Sequence, residues 1–219
     1  LLVPIVAAVA SRVGLLFQRA TLELRQQVRS QSRLPIWLRP VIGGLITWAL
    51  GVGVFAAIGK LGVFSLGYDD LSEALSTGLA GTSAALLLLA KLPATVCSYG
   101  WGGCGGIFSP TLFLGAMSGF VISGLAGLGL PLSSCDQLLL AAVGMSACFG
   151  AVVRAPLTAL LMIFEMTHQF ELVPALMVGT LISQALARRT GSTNFYEAIL
   201  QQDAAPQKRV DRGAAFPVG

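Results

Sequence analysis

The stretch Gly100-Trp101-Gly102-Gly103-Cys104-Gly105-Gly106-Ile107-Phe108-Ser109-Pro110 decides how this chain is read. It sits inside a run of 44 residues, Leu92 to Cys135, that holds no charged side chain. So apolar a run belongs in lipid, yet five glycines and a proline would break any helix laid through it. Broken backbone survives at membrane depth only where protein covers it or where it lines a polar cavity. The stretch therefore predicts two half-helices meeting at a site inside the membrane.

Composition supports a membrane setting. The chain is 55% hydrophobic and 11% charged, against about 25% charged in an ordinary soluble domain. Its mean hydropathy is +0.79. A soluble fold of this size needs more polar surface to cover its core. The net charge of +4 is small. The basic residues flank apolar segments instead of alternating with aromatics along one face, which argues against nucleic acid as a partner. Cys97, Cys104, Cys135 and Cys148 form no C-x-x-C pair and share the chain with one histidine, so they read as small buried thiols and no metal site is expected. No cofactor is expected either. The chain opens at Leu1 in mid-hydrophobic sequence, without the basic start of a secretory leader, as a piece of a longer protein would.

Working outward, the apolar segments are Leu1 to Leu16, Val41 to Ile58, Ala74 to Ala90, Thr111 to Leu130, Leu138 to Val153, Leu157 to Phe164 and Leu172 to Ala187. Most are shorter than the ~20 residues that cross hydrocarbon unaided. Uneven, glycine-interrupted segments predict an all-α membrane protein of tilted and re-entrant helices, multi-pass and integral. Residues 1–202 form the membrane domain, and 203–219 read as a polar C-terminal tail. Arg12, Arg19, Arg25, Arg29, Arg33 and Arg39 mark an amphipathic extension and a loop. Arg188, Arg189, Lys208 and Arg209 form a second basic cluster. The positive-inside rule would put both in the cytoplasm.

Three elements carry chemistry. Pro110 fits a first helical turn, where its missing N–H costs nothing. Gly106, Ile107 and Phe108 would then present backbone N–H groups at a positive helix end, and the glycines let that backbone approach a ligand. Such a nest holds an anion without a full positive charge, which also lets the ion leave. A tight membrane turn explains the spacing equally well. At Asn194-Phe195-Tyr196, Thr193 or Asn194 could cap a last short helix ending near Gln202. Tyr196 in its first turn could donate its hydroxyl to an anion, or serve as an interfacial tyrosine. In Arg154-Ala155-Pro156-Leu157-Thr158 with Glu165-Met166-Thr167, Pro156 starts a helix. Glu165 reads as a helix-end carboxylate, paired with arginine or capping, in preference to a proton relay.

These residues resemble a family. Gly67-Tyr68 with Leu71 to Leu75, Lys91 to Thr95, Gly105 to Pro110 with Gly115-Ala116, Arg154 to Thr158 with Glu165-Met166-Thr167, and Tyr196 with Ala198 to Leu200 are similar to the C-terminal half of the membrane domain of CLC chloride channels and proton-coupled chloride antiporters, in the family's order. The resemblance implies the second of two inverted repeats plus the helix before it. It implies a dehydrated chloride ion as ligand, facing the N–H groups of Ile107 and Phe108 beside Gly106, and the Tyr196 hydroxyl. It implies a homodimer with one pore per subunit, whose subunit interface would be lined by the first helix (Pro4 to Gln27) and by the segments Pro156 to His168 and Leu172 to Arg188, with Leu160 and Ile182 as candidate contacts. It implies that the Arg25 to Arg39 loop and the C-terminal tail lie on opposite sides. Relatives usually carry small serines where Trp101 and Cys104 stand. The family's gating and proton-transfer glutamates belong to the first repeat, which this sequence does not include.

The expected function is chloride transport through a broken-helix anion site, as channel or H+/Cl− antiporter. The alternatives are transport of nitrate or fluoride, or a nonconducting fragment. An intramembrane enzyme would need a nucleophile–base pair or metal ligands, and neither H-E-x-x-H nor G-x-S-x-G occurs.

Overall fold

The computed structural model describes residues 2–31, 35, 38–60, 62–64, 67–103, 105–129, 131–191 and 193–213, with side chains through 204 apart from those of 31 and 69. Its helices are α1 (Leu2–Gln31), α2 (Arg39–Ile58), α3 (Tyr68–Thr77), α4 (Gly81–Gly100), α5 (Phe108–Ala126), α6 (Ser134–Val153), α7 (Pro156–Thr167), α8 (Val173–Arg189) and α9 (Phe195–Gly213). A single 3₁₀ turn, Phe170–Leu172, leads into α8. Among the described residues six helices are long and apolar enough to cross a membrane, namely α1, α2, α4, α5, α6 and α8 with its leading turn.

The antiparallel pair α5 and α6 forms the centre. In lipid, helices gain little from hydrophobicity and associate by close packing, which small residues permit. A Cβ on Gly115 would lie 2.4 Å from the Gly144 carbonyl oxygen, and one on Gly119 2.4 Å from that of Leu140. The two backbones therefore touch. Gly81 and Gly124 do the same for α4 and α5, with a Cβ on Gly124 only 2.7 Å from the Gly81 Cα. Around this pair Phe113, Phe120, Phe149, Leu112, Met117 and Met145 are fully buried.

α1 crosses the centre and packs on α4, α5, α6 and α8. Gly14 admits the α6 backbone, where its Cβ would meet the Cys148 carbonyl oxygen at 3.0 Å. α8 is tied to the end of α6 by polar staples. The Gln184 amide donates to the Gly150 carbonyl at 2.9 Å, and an Arg154 Nη donates to the Ala187 carbonyl at 2.9 Å. Arg154 ends α6 in left-handed backbone, φ 59°. Pro156 then opens α7 at its first position. At the other end of α6, Ser133 and Asp136 form a reciprocal capping box.

The structure departs from the sequence reading in several places; Cys135, read as a buried thiol, is exposed. The apolar run Ala74 to Ala90 is two helices, because Gly78 (φ 79°) ends α3 and α4 begins at Gly81. The last helix does not stop near Gln202 and continues to Gly213. Leu160 and Ile182 pack inward on the core, while Leu157, Leu161 and Leu181 point outward. Finally, the arginine loop and the start of the tail lie on the same side. Phe17 stacks on Phe195, Gln202 donates to the Leu22 carbonyl, and Arg25 and Arg29 both pair with Asp203. The second half of α1 and the first half of α9 thus run parallel. This removes the conflict with the positive-inside rule, since Arg25, Arg29 and the start of the tail lie on one side.

Candidate functional site

The turn between α4 and α5 is built from its glycines. Trp101 N–H donates to the Cys97 carbonyl, Gly102 N–H to that of Tyr99, and Gly103 N–H to that of Ser98 at 2.9 Å. Gly102 has φ 95°, a conformation that side chains resist. At Gly103 a Cβ would stand 2.6 Å from the Ser98 carbonyl oxygen. Cys104 lies outside the described residues. Gly105 passes the Tyr99 hydroxyl, 3.2 Å from where its Cβ would be, and Gly106 has open space where a side chain would project.

The chain then enters α5. Ile107 is the N-cap and is 1% exposed, and Phe108 is the first helical residue. Pro110 lies in the first turn. Thr111 fixes this end. Its hydroxyl lies 2.8 Å from both the Ile107 and the Phe108 carbonyl oxygens, and its N–H donates to the Ile107 carbonyl at 3.2 Å. With the carbonyls drawn into the helix, the amides of Ile107 and Phe108 face back along the axis toward the glycine turn. Among the described residues neither amide has a backbone acceptor. They are orphan donors of a helix N-terminus, carrying the positive end of its dipole, at a buried point.

Tyr196 lies where the sequence places it, in the first turn of α9. The Asn194 side chain caps that turn by accepting from Tyr196 N–H at 3.1 Å. Phe195 is buried and anchors the turn to α1 through Phe17, with ring centroids 6.3 Å apart. Gln18, the next residue, donates to the Thr193 carbonyl at 2.7 Å. Tyr196 itself is 42% exposed, and among the described residues its hydroxyl has no hydrogen-bond partner. Desolvation raises the phenol above its ordinary value, so it stays protonated and remains a donor at neutral pH.

α6 connects the two elements. The Phe108 ring lies 4.9 Å from that of Phe149. On the neighbouring face of α6, Cys148 and Val152 meet Gly14 of α1. One turn further along α1, Phe17 holds Phe195 beside Tyr196. The N-termini of α5 and α9 are therefore gathered at the same end of α6. The donors at these two helix ends are the amides of Ile107 and Phe108 on α5 and the Tyr196 hydroxyl on α9.

Glu165 is exposed on α7 and, among the described residues, has no ion-pair partner. Sequence reading missed Thr111 and Phe149. A threonine four residues into a helix is a recognisable back-bonding position, whereas Phe149 could be paired with Phe108 only through the α5–α6 register.

A crystal structure titled as a slow cyanobacterial Cl−/H+ antiporter superposes with a TM-score of 0.71 at 26% identity, over 94% of this chain and 47% of that one. The architecture is thus the all-helical CLC type. A ClcB-like chloride channel protein of Ralstonia nicotianae is 36% identical over 175 residues, covering 80% of this chain and 39% of the relative. A voltage-gated ClC-type chloride channel, ClcB, of Escherichia coli O81 is 33% identical over 162 residues, covering 74% of this chain and 37% of the relative. The chain spans less than half the length of each of these proteins. A family model described as voltage gated chloride channel matches residues 1–188, and the chain is a multi-pass member of that family.

Proposed function

We propose that this chain supplies the second half of a transmembrane chloride pathway. The amides of Ile107 and Phe108, beside Gly106, and the Tyr196 hydroxyl replace water around the ion. Partial charges at helix ends hold it firmly enough to enter and weakly enough to leave. One observation carries the reading: two orphan amides at a buried helix N-terminus, aimed at an open glycine turn. No covalent chemistry is required, and the protein acts as a transporter, not as an enzyme. The ligand is chloride, and no cofactor takes part.

The functional unit is a homodimer. Leu157, Leu161, Met177, Val178 and Leu181 form an outward apolar face on α7 and α8. α1 contributes less than the sequence suggests, because its packing on four helices leaves chiefly Ile5, Val9 and Leu16 outward among its large apolar residues. Each subunit keeps its own pathway.

The test is anion flux from proteoliposomes holding the full-length parent protein. Chloride efflux that falls when Ile107→Pro removes one amide supports the reading. Efflux of nitrate or fluoride in preference to chloride would assign the site to another anion.

A further inference from the structure

Gln18 is a polar residue on a buried face of α1. It stands beside Phe17, one turn after Gly14, and is 3% exposed. An amide taken out of water is costly unless a partner is supplied, in protein or in lipid. Leucine or methionine would fill the same space without that cost. What the amide adds is direction.

It points at the start of α9. That helix uses its carbonyls from Asn194 onward, the Asn194 carbonyl accepting from Ala198 N–H at 3.0 Å. The Thr193 carbonyl comes before the helix, and the Gln18 amide donates to it at 2.7 Å. Phe17 stacks on Phe195 with the ring planes 14° apart. Two consecutive residues of α1 thus hold Thr193 and Phe195, on either side of the Asn194 cap.

Tyr196 needs such a hold. α8 closes at Arg189, and the chain then passes Gly191 in left-handed backbone, φ 62°, with open space where a side chain would project. Such a glycine is compatible with many chain directions, so the course of α9 is set by what its first turn touches. The contacts of Gln202 and Asp203 with α1 lie about two turns further on. Tyr196 is 42% exposed, so packing does not confine its ring. Its place follows from the turn and from Phe195, whose ring meets it edge-on at 6.2 Å.

The same part of α1 registers the other side of the site. Gly14, on the face that carries Gln18, admits the α6 backbone at Cys148. The next residue of α6, Phe149, supports Phe108. The amides of α5 and the phenol of α9 are therefore both referred to residues 14–18 of α1, and Gln18 is the polar contact among them.

We propose, resting on the anion site assigned above, that Gln18 is a positioning residue for it, holding the start of α9 through the Thr193 carbonyl so that the Tyr196 hydroxyl stays aimed at the ion. Gln18 itself touches no ion.

The experiment is a double-mutant cycle in the full-length parent protein, with chloride affinity from calorimetric titration and melting temperature in the same detergent. Gln18→Met keeps the volume and removes the donor. It should weaken chloride about threefold, inside the roughly fivefold loss expected of Tyr196→Phe. Added to Tyr196→Phe, it should weaken chloride no further, because the group it positions is gone. The fall in melting temperature should be alike in both backgrounds, since the Thr193 carbonyl loses this donor in each. Gln18→Asn sets the amide one methylene short of the carbonyl. It should act in the same direction, and it replaces Gln18→Met in the cycle if that variant does not fold. Thr47→Val is the control. It removes a hydroxyl that ties α2 to the Ala94 carbonyl of α4 at 3.0 Å, and should lower the melting temperature while leaving chloride affinity unchanged.

A Gln18→Met protein that binds chloride as tightly as the wild type overturns the proposal. So does a loss of equal size in both backgrounds, or one no larger than that of Thr47→Val, which is what general loosening would give. In each of these cases a weakened Tyr196→Phe leaves the anion site standing. If Tyr196→Phe itself binds chloride unchanged, the site loses its phenol and the role of Gln18 falls with it.

Discussion

Phe149 of α6 supports the ring of Phe108, the centroids 4.9 Å apart and the planes inclined by 40°. Phe108 is the residue whose amide opens α5, so this contact sets where the donor lies. Phe149 is fully buried, and Phe149→Ala should cost about 3–5 kcal/mol. Phe149→Leu should cost less and retain more chloride affinity. Thermal unfolding in detergent, read beside chloride titration, checks both.

Gly115 and Gly144 allow backbone contact that no side chain could share. Gly144→Ala would drive a Cβ to 2.2 Å from the Gly115 carbonyl oxygen. Overpacking of this kind costs about 1–3 kcal/mol or more. Gly44 and Gly53 of α2 have open space at the same position. Alanine there should be harmless or stabilise by about 0.5–1 kcal/mol, since helical glycine is entropically costly. Melting temperatures of the three variants test the contrast.

The Arg29–Asp203 ion pair fixes relative sidedness. With the exposed Cys135 replaced by serine, Arg29→Cys and Asp203→Cys should react with an impermeant maleimide from the same side of sealed vesicles. Labelling from opposite sides would restore the topology that the resemblance implied.

Tyr196→Phe keeps the ring and removes one donor. Chloride affinity should fall by about 1 kcal/mol, roughly fivefold, with little change in stability. The phenol is raised above its usual titration range by desolvation. The Tyr196 contribution should therefore stay constant from mildly acidic to mildly alkaline pH. Calorimetric titration of chloride across that range measures it.

The outward face of α7 and α8 predicts where a partner docks. Leu157 is 75% exposed and Leu181 67% exposed. Leu161→Trp or Leu181→Trp should favour monomers while chloride flux persists. Single-molecule photobleaching in bilayers, with flux from the same preparation, separates these effects.

Much of the fold was legible because membrane burial leaves a strong signal in composition and glycine spacing. The α4–α5 break, the start of α5 just before Pro110 and the α9 turn at Asn194 all rest on local chemistry. Long-range register was not legible. Nothing in the sequence near Arg25 names Asp203 as its partner, so the parallel course of α1 and α9 emerged only in three dimensions. The inward turn of Leu160 and Ile182 has the same origin. On a helix apolar nearly all round, the buried face is chosen by its neighbours.

Ile107, Phe108 and Tyr196 are proposed to share one anion. Crystals of the full-length parent protein grown in bromide would test it directly through anomalous scattering. A bromide peak is expected within hydrogen-bonding reach of the Ile107 and Phe108 amide nitrogens and the Tyr196 hydroxyl, and the peak should weaken in Tyr196→Phe. Ordered bromide elsewhere in the membrane region, with none at the start of α5, would contradict it.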